Sequence, residues 1–228
     1  MREYYRVCAQ IDLSAVRKNI EAICASVKPE SKLMVVLKAD GYGHGAVPIA
    51  KRIDDLADAY GMAIIEEAIE LREAGIKKPI LILGYTPSVH YHYLVEENLI
   101  QNFLSLEYAN KLNSFAIENS VKVRGHIKVD TGMGRLGIRY TDEEDGYEDI
   151  KAIYHLDHLL VEGIFSHFSV ADELDENNLA YTIHQKELYD DLGIIPSKSG
   201  DLTCWANEGV LLLNSVLTVE KDKPLSHK

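Results

Sequence analysis

The sequence predicts an α/β protein folded as a (β/α)8 TIM-type barrel. Two observations lead to this class. Short apolar runs, typical of strands buried on both faces, alternate with longer helical stretches, and six such repeats follow one another along the 228 residues. The alternation predicts βαβ units and therefore a parallel sheet. Six repeats favour a closed barrel over an open sheet.

The first half of the chain begins with a helix that lies outside the repeats. Residues 13–27 have helical periodicity, with Ser14 or Asp12 as the N-cap. Residues 33–37 (LMVVL) form a continuous apolar run and predict the first buried strand. Acidic residues in the first turn and Gly75 at the C-cap support a helix at 66–74. The remaining predictions are helices at 46–56, 66–74 and 106–119, and strands at 60–65, 79–83 and 99–104.

The second half continues the alternation and then becomes less regular. It predicts strands at 121–130 and 159–165, and helices at 143–154 and 177–192. Beyond them, residues 197–205 are predicted to lead into a seventh strand and residues 208–213 to form a short helix. Residues 215–220 have the composition of an eighth strand. The polar residues 220–228 are expected to fray. We therefore predict a barrel domain over residues 1–192 and a divergent or truncated barrel end with a frayed tail over residues 193–228.

Charge and cysteine content exclude several classes of protein. The net charge of −12 argues against a nucleic-acid surface, which needs a basic patch, but permits a small anionic ligand. There is neither an apolar run near the roughly 20 residues that span a bilayer nor an apolar signal core at the N-terminus. Cys8, Cys24 and Cys204 are odd in number and far apart, so neither a disulfide framework nor a metal site is indicated. We expect a reduced, cytoplasmic protein that binds neither nucleic acid nor membranes.

The first chemical segment is VLKADGYGHG at residues 36–45, where Lys38 ends the first buried strand and three glycines follow. In a barrel, active sites gather at the carboxyl ends of the strands. An apolar strand also provides the low-dielectric setting that lowers a lysine pKa, as Schiff-base chemistry requires. Read alone, the same residues fit a solvated lysine in an ordinary turn.

The second segment is HIKVDTGMGRLG at residues 126–137, which ends the fifth predicted strand. Its glycines, Gly132, Gly134 and Gly137, have the spacing of a dinucleotide-binding loop. That motif requires a helix to open at the third glycine, and residues 138–142 do not begin a helix of that kind. The guanidinium of Arg135 suits a carboxylate instead, although a surface charge in a loop is the alternative.

The third segment is EGIFSHFS at residues 162–169, in which His167 follows the sixth predicted strand. A histidine just past an apolar strand is more often structural than catalytic. Here it lies on the barrel face that also holds Lys38 and Arg135, which favours a functional role.

No metal site is expected. The run His90-Tyr91-His92-Tyr93 places its histidines at i and i+2, which do not face one another on a helix, and supplies no acidic or cysteine partner. A helix start is the simpler interpretation. The acidic run at 142–149 is interpreted as a solvated face or a helix N-terminus.

The three segments resemble those of alanine racemases, and the resemblance covers residues 4–192. Residues 36–45 match the family signature almost throughout, and residues 126–137 match the stretch that ends the fifth strand. Residues 162–169 are similar to the family's G-x-x-[ST]-H segment. The resemblance implies a pyridoxal-phosphate enzyme that interconverts L-alanine and D-alanine, which supplies D-alanine for the cell wall. Serine racemases of the same fold are an alternative.

The resemblance also implies a role for each matching residue. Lys38 corresponds to the lysine that binds pyridoxal phosphate as a Schiff base and is one of two catalytic bases. Tyr42 corresponds to a ligand of the cofactor phosphate, and Arg135 to a residue near the ring oxygen and the substrate carboxylate. His167 corresponds to a residue that positions the cofactor ring, and Lys128 to a lysine that is carbamylated in many racemases.

The resemblance thins beyond residue 192. Residues 204–211 (CWANEGVL) echo the family's A-N-S-A-G segment, so Asn207 is predicted to contact the cofactor, while Glu208 replaces the serine. Family members continue with an arginine facing the pyridine nitrogen and a β-rich second domain. That domain carries the second base, a tyrosine, which acts across a head-to-tail homodimer.

None of these features is found in the 228 residues. We therefore expect a shortened member, a fragment, or the product of a divergent or frameshifted end, with a barrel incomplete at its C-terminal end and no second domain. Reduced activity, or cofactor binding without catalysis, would follow. A single-domain barrel of the pyridoxal-phosphate homeostasis type has a similar length but does not carry the strings around Lys38 and Arg135.

Overall fold

The protein is described here by a computed structural model that covers residues 8–29, 31–173, 175–192 and 211–213. Its centre is a parallel sheet in the order β7-β5-β4-β3-β2-β1-β8, with the short β6 paired to the last residues of β5. The strands are β1 (Leu33–Val36), β2 (Ala59–Met62), β3 (Ile80–Ile82), β4 (Ile100–Phe103), β5 (Val123–Asp130), β6 (Ile138–Arg139), β7 (Leu159–Phe165) and β8 (Leu211–Leu213).

Helices connect the strands and cover one face of the sheet. Asp12 caps the first of them, because its carboxylate accepts hydrogen bonds from the backbone N–H groups of Ser14 and Ala15. No helix in the described ranges is long and apolar enough to cross a membrane. The helices are α1 (Leu13–Ser26), α2 (Lys38–Gly43), α3 (Ala46–Ile53), α4 (Ile65–Glu73), α5 (Tyr91–Glu96), α6 (Leu106–Glu118), α7 (Tyr147–Tyr154) and α8 (Glu176–Asp191).

Apolar side chains fill both faces of the sheet. The larger core lies between the strands and the helices and includes Val35, Tyr60 and Ile82. On the other face a smaller layer takes one residue from each of β1, β2, β3, β4 and β7, because successive side chains of a strand point to opposite faces. We call this the interior layer; its members are Met34, Ala59, Leu81, Ile100 and Phe165.

Most predicted elements are confirmed within a few residues, and several details differ. The strand predicted at 60–65 ends earlier, because α4 already begins at Ile65. The helix predicted at 143–154 begins only at Tyr147. The two-residue strand β6 was not predicted, and α5 was expected only as a helix start at residues 90–93.

The helix predicted at 208–213 is wrong where the structure describes it, since residues 211–213 pair as β8 with β1. A run of three leucines does not distinguish a strand from a helix by periodicity, and the exposed edge of β1 decides in favour of a strand. The strand predictions at 197–205 and 215–220 lie outside the described residues.

Candidate active site

A cleft of about 280 Å³ opens at the carboxyl ends of the strands. Both Lys38, which follows β1, and His167, which follows β7, border it. These two strands are separated by four others in the sheet, so the sheet must curve around the cleft as the wall of a barrel does. The remaining lining residues include polar Asn102, Lys128 and Arg135 and apolar Val36, Ala63, Leu83, Met133, Leu136 and Phe165.

Four of the predicted site residues therefore meet at one place, namely Lys38, Lys128, Arg135 and His167. Tyr42 lies beside them, with its ring centroid 5.9 Å from Lys38 Nζ. Asn207, the remaining predicted cofactor contact, lies outside the described residues. The grouping is an observation, and the chemical roles of these residues remain predictions.

Lys38 opens a left-handed turn rather than an ordinary helix. Residues 39–42 have φ between 52° and 61°, and only one of them is glycine. The left-handed conformation costs an L-residue roughly 1–2 kcal/mol, so the surrounding structure must hold the turn. The Asp40 carboxylate does so in part by accepting a hydrogen bond of 2.8 Å from the backbone N–H of Ala46. At Gly41 a side chain would crowd that same nitrogen at 3.2 Å.

Tyr42 ends this turn with its phenol near the cleft. Burial raises the pKa of the phenol, and the charge of Arg135 opposes that shift only in part. The hydroxyl therefore keeps its proton at neutral pH and can donate a hydrogen bond to an anionic ligand.

A buried carboxylate shapes the loop that carries Arg135. Asp130, 3% exposed, accepts hydrogen bonds of 3.0–3.1 Å from the backbone N–H groups of Gly132, Gly134 and Arg135. Burial alone would raise the pKa of Asp130, but these bonds and the charge of Lys128 outweigh it and hold the pKa below its usual range. The loop is thus organised around an ionised carboxylate.

The amine of Lys128 is buried beside this loop. Lys128 is 7% exposed, and its Nζ donates a 2.5 Å hydrogen bond to the Val129 carbonyl and lies 5.6 Å from the centre of the Phe165 ring. Burial lowers the pKa of Lys128 to about 8; the charge of Arg135 also lowers it, while that of Asp130 opposes the shift. A substantial fraction of the amine is therefore neutral near physiological pH.

The pKa of His167 is affected by burial and by the basic side chains that line the cleft. Burial lowers the pKa of its imidazole, and the charges of Arg135, Lys128 and Lys38 lower it further. The ring is consequently neutral at pH 7. This suits a residue that packs against or orients a ligand better than one that donates a proton.

Two buried polar residues of the barrel interior were missed by the sequence analysis. Asn102 lines the cleft at 1% exposure; its Nδ2 donates to the Leu83 carbonyl at 2.7 Å, while its Oδ1 has no partner among the described residues. His126, its register neighbour on β5, has a pKa lowered to about 4 by burial. The available signal was polar residues inside otherwise apolar strands.

The structure also decides the alternatives considered for two other motifs. The glycine-rich segment is followed by β6 and not by a helix, so the dinucleotide-binding motif is excluded there. His90 ends a 3₁₀ turn (Ser88–His90) that leads into α5, which confirms the predicted helix start. The described ranges hold no cluster of three or more histidine, cysteine or acidic side chains suited to a metal.

Comparison with known proteins identifies the family. The profile of the family described as alanine racemase, N-terminal domain, matches residues 11–198. The chain belongs to the alanine racemase family. The alanine racemase of Desulfosudis oleivorans is 41% identical over 177 residues, which are 75% of this chain and 45% of that relative.

Solved structures of alanine racemases share the fold. The alanine racemase of Clostridium difficile 630 has a TM-score of 0.69 at 33% identity, and the match covers 78% of this chain and 46% of the Clostridium chain. That of Bacillus anthracis with bound L-Ala-P has a TM-score of 0.70 at 28% identity and covers 82% of this chain and 49% of its own. The predicted barrel class is confirmed as an incomplete, parallel half-barrel, and the chain spans about half the length of the curated relatives it matches.

Proposed function

We propose that this chain forms the cofactor-binding half of a pyridoxal-phosphate-dependent racemase that interconverts L-alanine and D-alanine. The observation that carries the proposal is the convergence of Lys38, Arg135 and His167, from three separate sequence segments, on one cleft. The names of the relatives favour alanine over serine as the substrate.

The chemistry of the cleft suits pyridoxal phosphate. Lys38 supplies the primary amine needed to attach an aldehyde covalently. Lys38 and Arg135 line the cleft with basic side chains, in a chain whose net charge is −12, and so favour a phosphate and a carboxylate locally. The unpartnered Oδ1 of Asn102 provides a buried acceptor on the same wall.

Each of these residues is given a role that suits the chemistry of its side chain. When bound, pyridoxal phosphate makes the substrate α-proton acidic by delocalising charge from the α-carbon. Lys38 would hold the cofactor and would move the proton at the substrate α-carbon on its own face. Arg135 binds the carboxylate through its planar fork. Tyr42, which keeps its proton, donates to the phosphate, and neutral His167 orients the ring.

Lys128 is proposed to carry a carbamate. Its neutral amine adds to CO₂, forming an N–C bond and releasing one proton, so the reaction requires an unprotonated Nζ. The pKa of about 8 supports this chemistry at neutral pH. The product would carry a negative charge, and Lys128 is close enough to Arg135 for the two charges to interact.

The test combines attachment of the cofactor with proton exchange. We expect borohydride reduction in the presence of pyridoxal phosphate to leave a pyridoxyl group on Lys38, located by peptide mapping. We also expect deuterium from D₂O to enter the α-position of alanine, followed by NMR, with inversion followed separately by chiral chromatography. Lys38→Ala should slow exchange by at least about 10²–10⁴-fold, whereas Lys51→Ala, an exposed lysine on α3, should leave it unchanged.

Each outcome bears on a different part of the proposal. An adduct on another lysine contradicts the assignment of Lys38. An adduct on Lys38 without exchange contradicts catalysis and indicates a cofactor-binding barrel. Faster exchange with serine than with alanine contradicts the choice of substrate.

A further inference from the structure

One carboxylate joins the ends of two neighbouring strands next to Lys38. Glu67, on the first turn of α4, accepts a 2.7 Å hydrogen bond at Oε1 from the backbone N–H of Ala39. Its Oε2 accepts a 2.8 Å hydrogen bond from the backbone N–H of Ala63. Ala39 follows Lys38 after β1, and Ala63 follows β2. Both oxygens of a half-buried side chain are thus used by backbone donors.

The bond to Ala63 has a local explanation, and the bond to Ala39 does not. The N-cap of α4, Ile64, offers no side-chain acceptor, so a glutamate in the first turn that reaches back to the preceding backbone fills the role of a cap. A carboxylate there also interacts favourably with the helix dipole. Capping needs only one oxygen, however, and the other reaches 28 positions back along the chain to a different element.

The residue bound in this way begins the left-handed turn. Ala39 has φ of 53°, a conformation that a non-glycine residue avoids unless it is held. Its N–H belongs to the peptide bond that Lys38 begins. Since a peptide unit is planar, fixing the direction of this N–H fixes the ψ angle of Lys38 and the path of the backbone from which the side chain departs.

We propose that Glu67 is a positioning residue whose carboxylate fixes the peptide after Lys38 and thereby aims the Lys38 amine into the cleft. The inference rests on the proposed function, since it assigns Glu67 a part in presenting Lys38 to the cofactor. The middle of the turn is held separately by Asp40, so loss of Glu67 loosens the Lys38 end of the turn first.

The neighbouring Glu66 is a matched control. It lies in the same first turn of α4, carries the same charge and is exposed, and its Oε1 lies 4.0 Å from Nε2 of His90. Glu66→Gln therefore changes the charge at the helix start without touching Ala39. Glu67→Gln keeps the size of the side chain but turns one acceptor into a donor, so it can serve only one of the two N–H groups.

The experiment reads the backbone and the cofactor separately. Amide hydrogen exchange, followed by NMR on the protein without cofactor, reports the Ala39 N–H directly. A titration with pyridoxal phosphate, followed by visible absorbance and circular dichroism, reports attachment to Lys38. For Glu67→Gln we expect faster exchange at Ala39 and a dissociation constant raised about tenfold, the usual effect of losing one hydrogen bond to a charged group.

Glu67→Asp keeps the charge and is one methylene too short to bridge both donors, so it should show the same defect even if Glu67→Gln folds poorly. A merely structural role predicts faster exchange throughout α4 with an unchanged dissociation constant, and that result overturns the inference. Values for Glu67 variants equal to those of Glu66→Gln also overturn it. Failure of the proposed function is distinguishable, because then the unsubstituted protein itself shows no adduct on Lys38.

Discussion

The buried amine of Lys128 lowers the stability of the folded chain. Its charged form donates a hydrogen bond to the carbonyl of Val129, lies near the ring of Phe165 and is attracted by Asp130. Burying a charge with so few partners is unfavourable, and the lowered pKa of Lys128 expresses that cost. A residue kept at such a cost is a candidate for function.

Replacing this amine should stabilise the protein. We expect Lys128→Met to raise the free energy of unfolding at about pH 7 by about 1–3 kcal/mol, because an apolar chain of similar size removes a buried charge. The measurement is urea unfolding in CO₂-free buffer. Lys122→Met, an exposed lysine just before β5, should change the stability little.

The pH dependence has a defined sign. The pKa of Lys128 is about 8 in the folded chain and 10.5 by reference, so the unfolded chain binds more protons between these values. The contribution of Lys128 to the stability of the unsubstituted protein must therefore rise with pH across that interval, and Lys128→Met should lack this contribution. Equal slopes in both proteins would contradict the burial of a titrating amine.

Elements with a strong local pattern could be predicted, and elements fixed by distant contacts could not. The strands β1 and β7 could be predicted from their apolar runs, and the amphipathic helices between strands from their periodicity. The left-handed turn did not, because positive φ at Ala39, Asp40 and Tyr42 runs against their preferences. It depends on hydrogen bonds to other elements. The two-residue β6 likewise exists through its pairing with β5.

The loop after β5 is the element on which the placement of Arg135 depends. We expect Asp130→Asn to lower the free energy of unfolding by about 1–3 kcal/mol, since an amide can accept only part of the three backbone N–H bonds that the carboxylate receives. Urea unfolding measures the loss. Asp157→Asn, at an exposed aspartate in a turn, is the matched control.

The same substitution has a predicted pH signature. The folded-state pKa of Asp130 is depressed, so its stabilisation is present above the unfolded value and is lost as the pH falls. The difference between Asp130→Asn and the unsubstituted protein should therefore shrink from about pH 6 to about pH 3. A difference independent of pH would mean that the charge of Asp130 does not hold the loop.

At the scale of the whole molecule, strand order decides which residues form the site. Lys38, Arg135 and His167 could be predicted because each ends or follows an apolar strand, and parallel strands bring those ends together. Asn102 and Glu67 could not, because Asn102 bonds to the segment after β3 and Glu67 of α4 bonds to the turn after β1, and no local pattern encodes these distant contacts. The sequence thus predicts the cleft residues that end or follow strands better than the residues that depend on contacts between elements.

The interior layer supports this arrangement from below. Phe165, 5% exposed on β7, packs in one cluster with Met34 of β1, although four strands separate β7 from β1 in the sheet. The layer therefore links distant strands across the inside of a half-barrel and forms part of the floor of the cleft, which Phe165 also lines.

Truncating Phe165 should consequently weaken the whole fold and not only the site. We expect Phe165→Ala to lower the free energy of unfolding by about 3–5 kcal/mol, since a buried aromatic ring is lost and a cavity remains. Phe165→Leu, which keeps most of the volume, should cost less, about 1–1.5 kcal/mol. Leu179→Ala on α8, at a side chain 52% exposed, is the control and should have little effect. If Phe165→Ala lowers the free energy of unfolding by under about 1 kcal/mol, the interior layer repacks around the missing ring without a large loss of stability. The curvature that brings Lys38 opposite His167 must then be maintained by the outer helices.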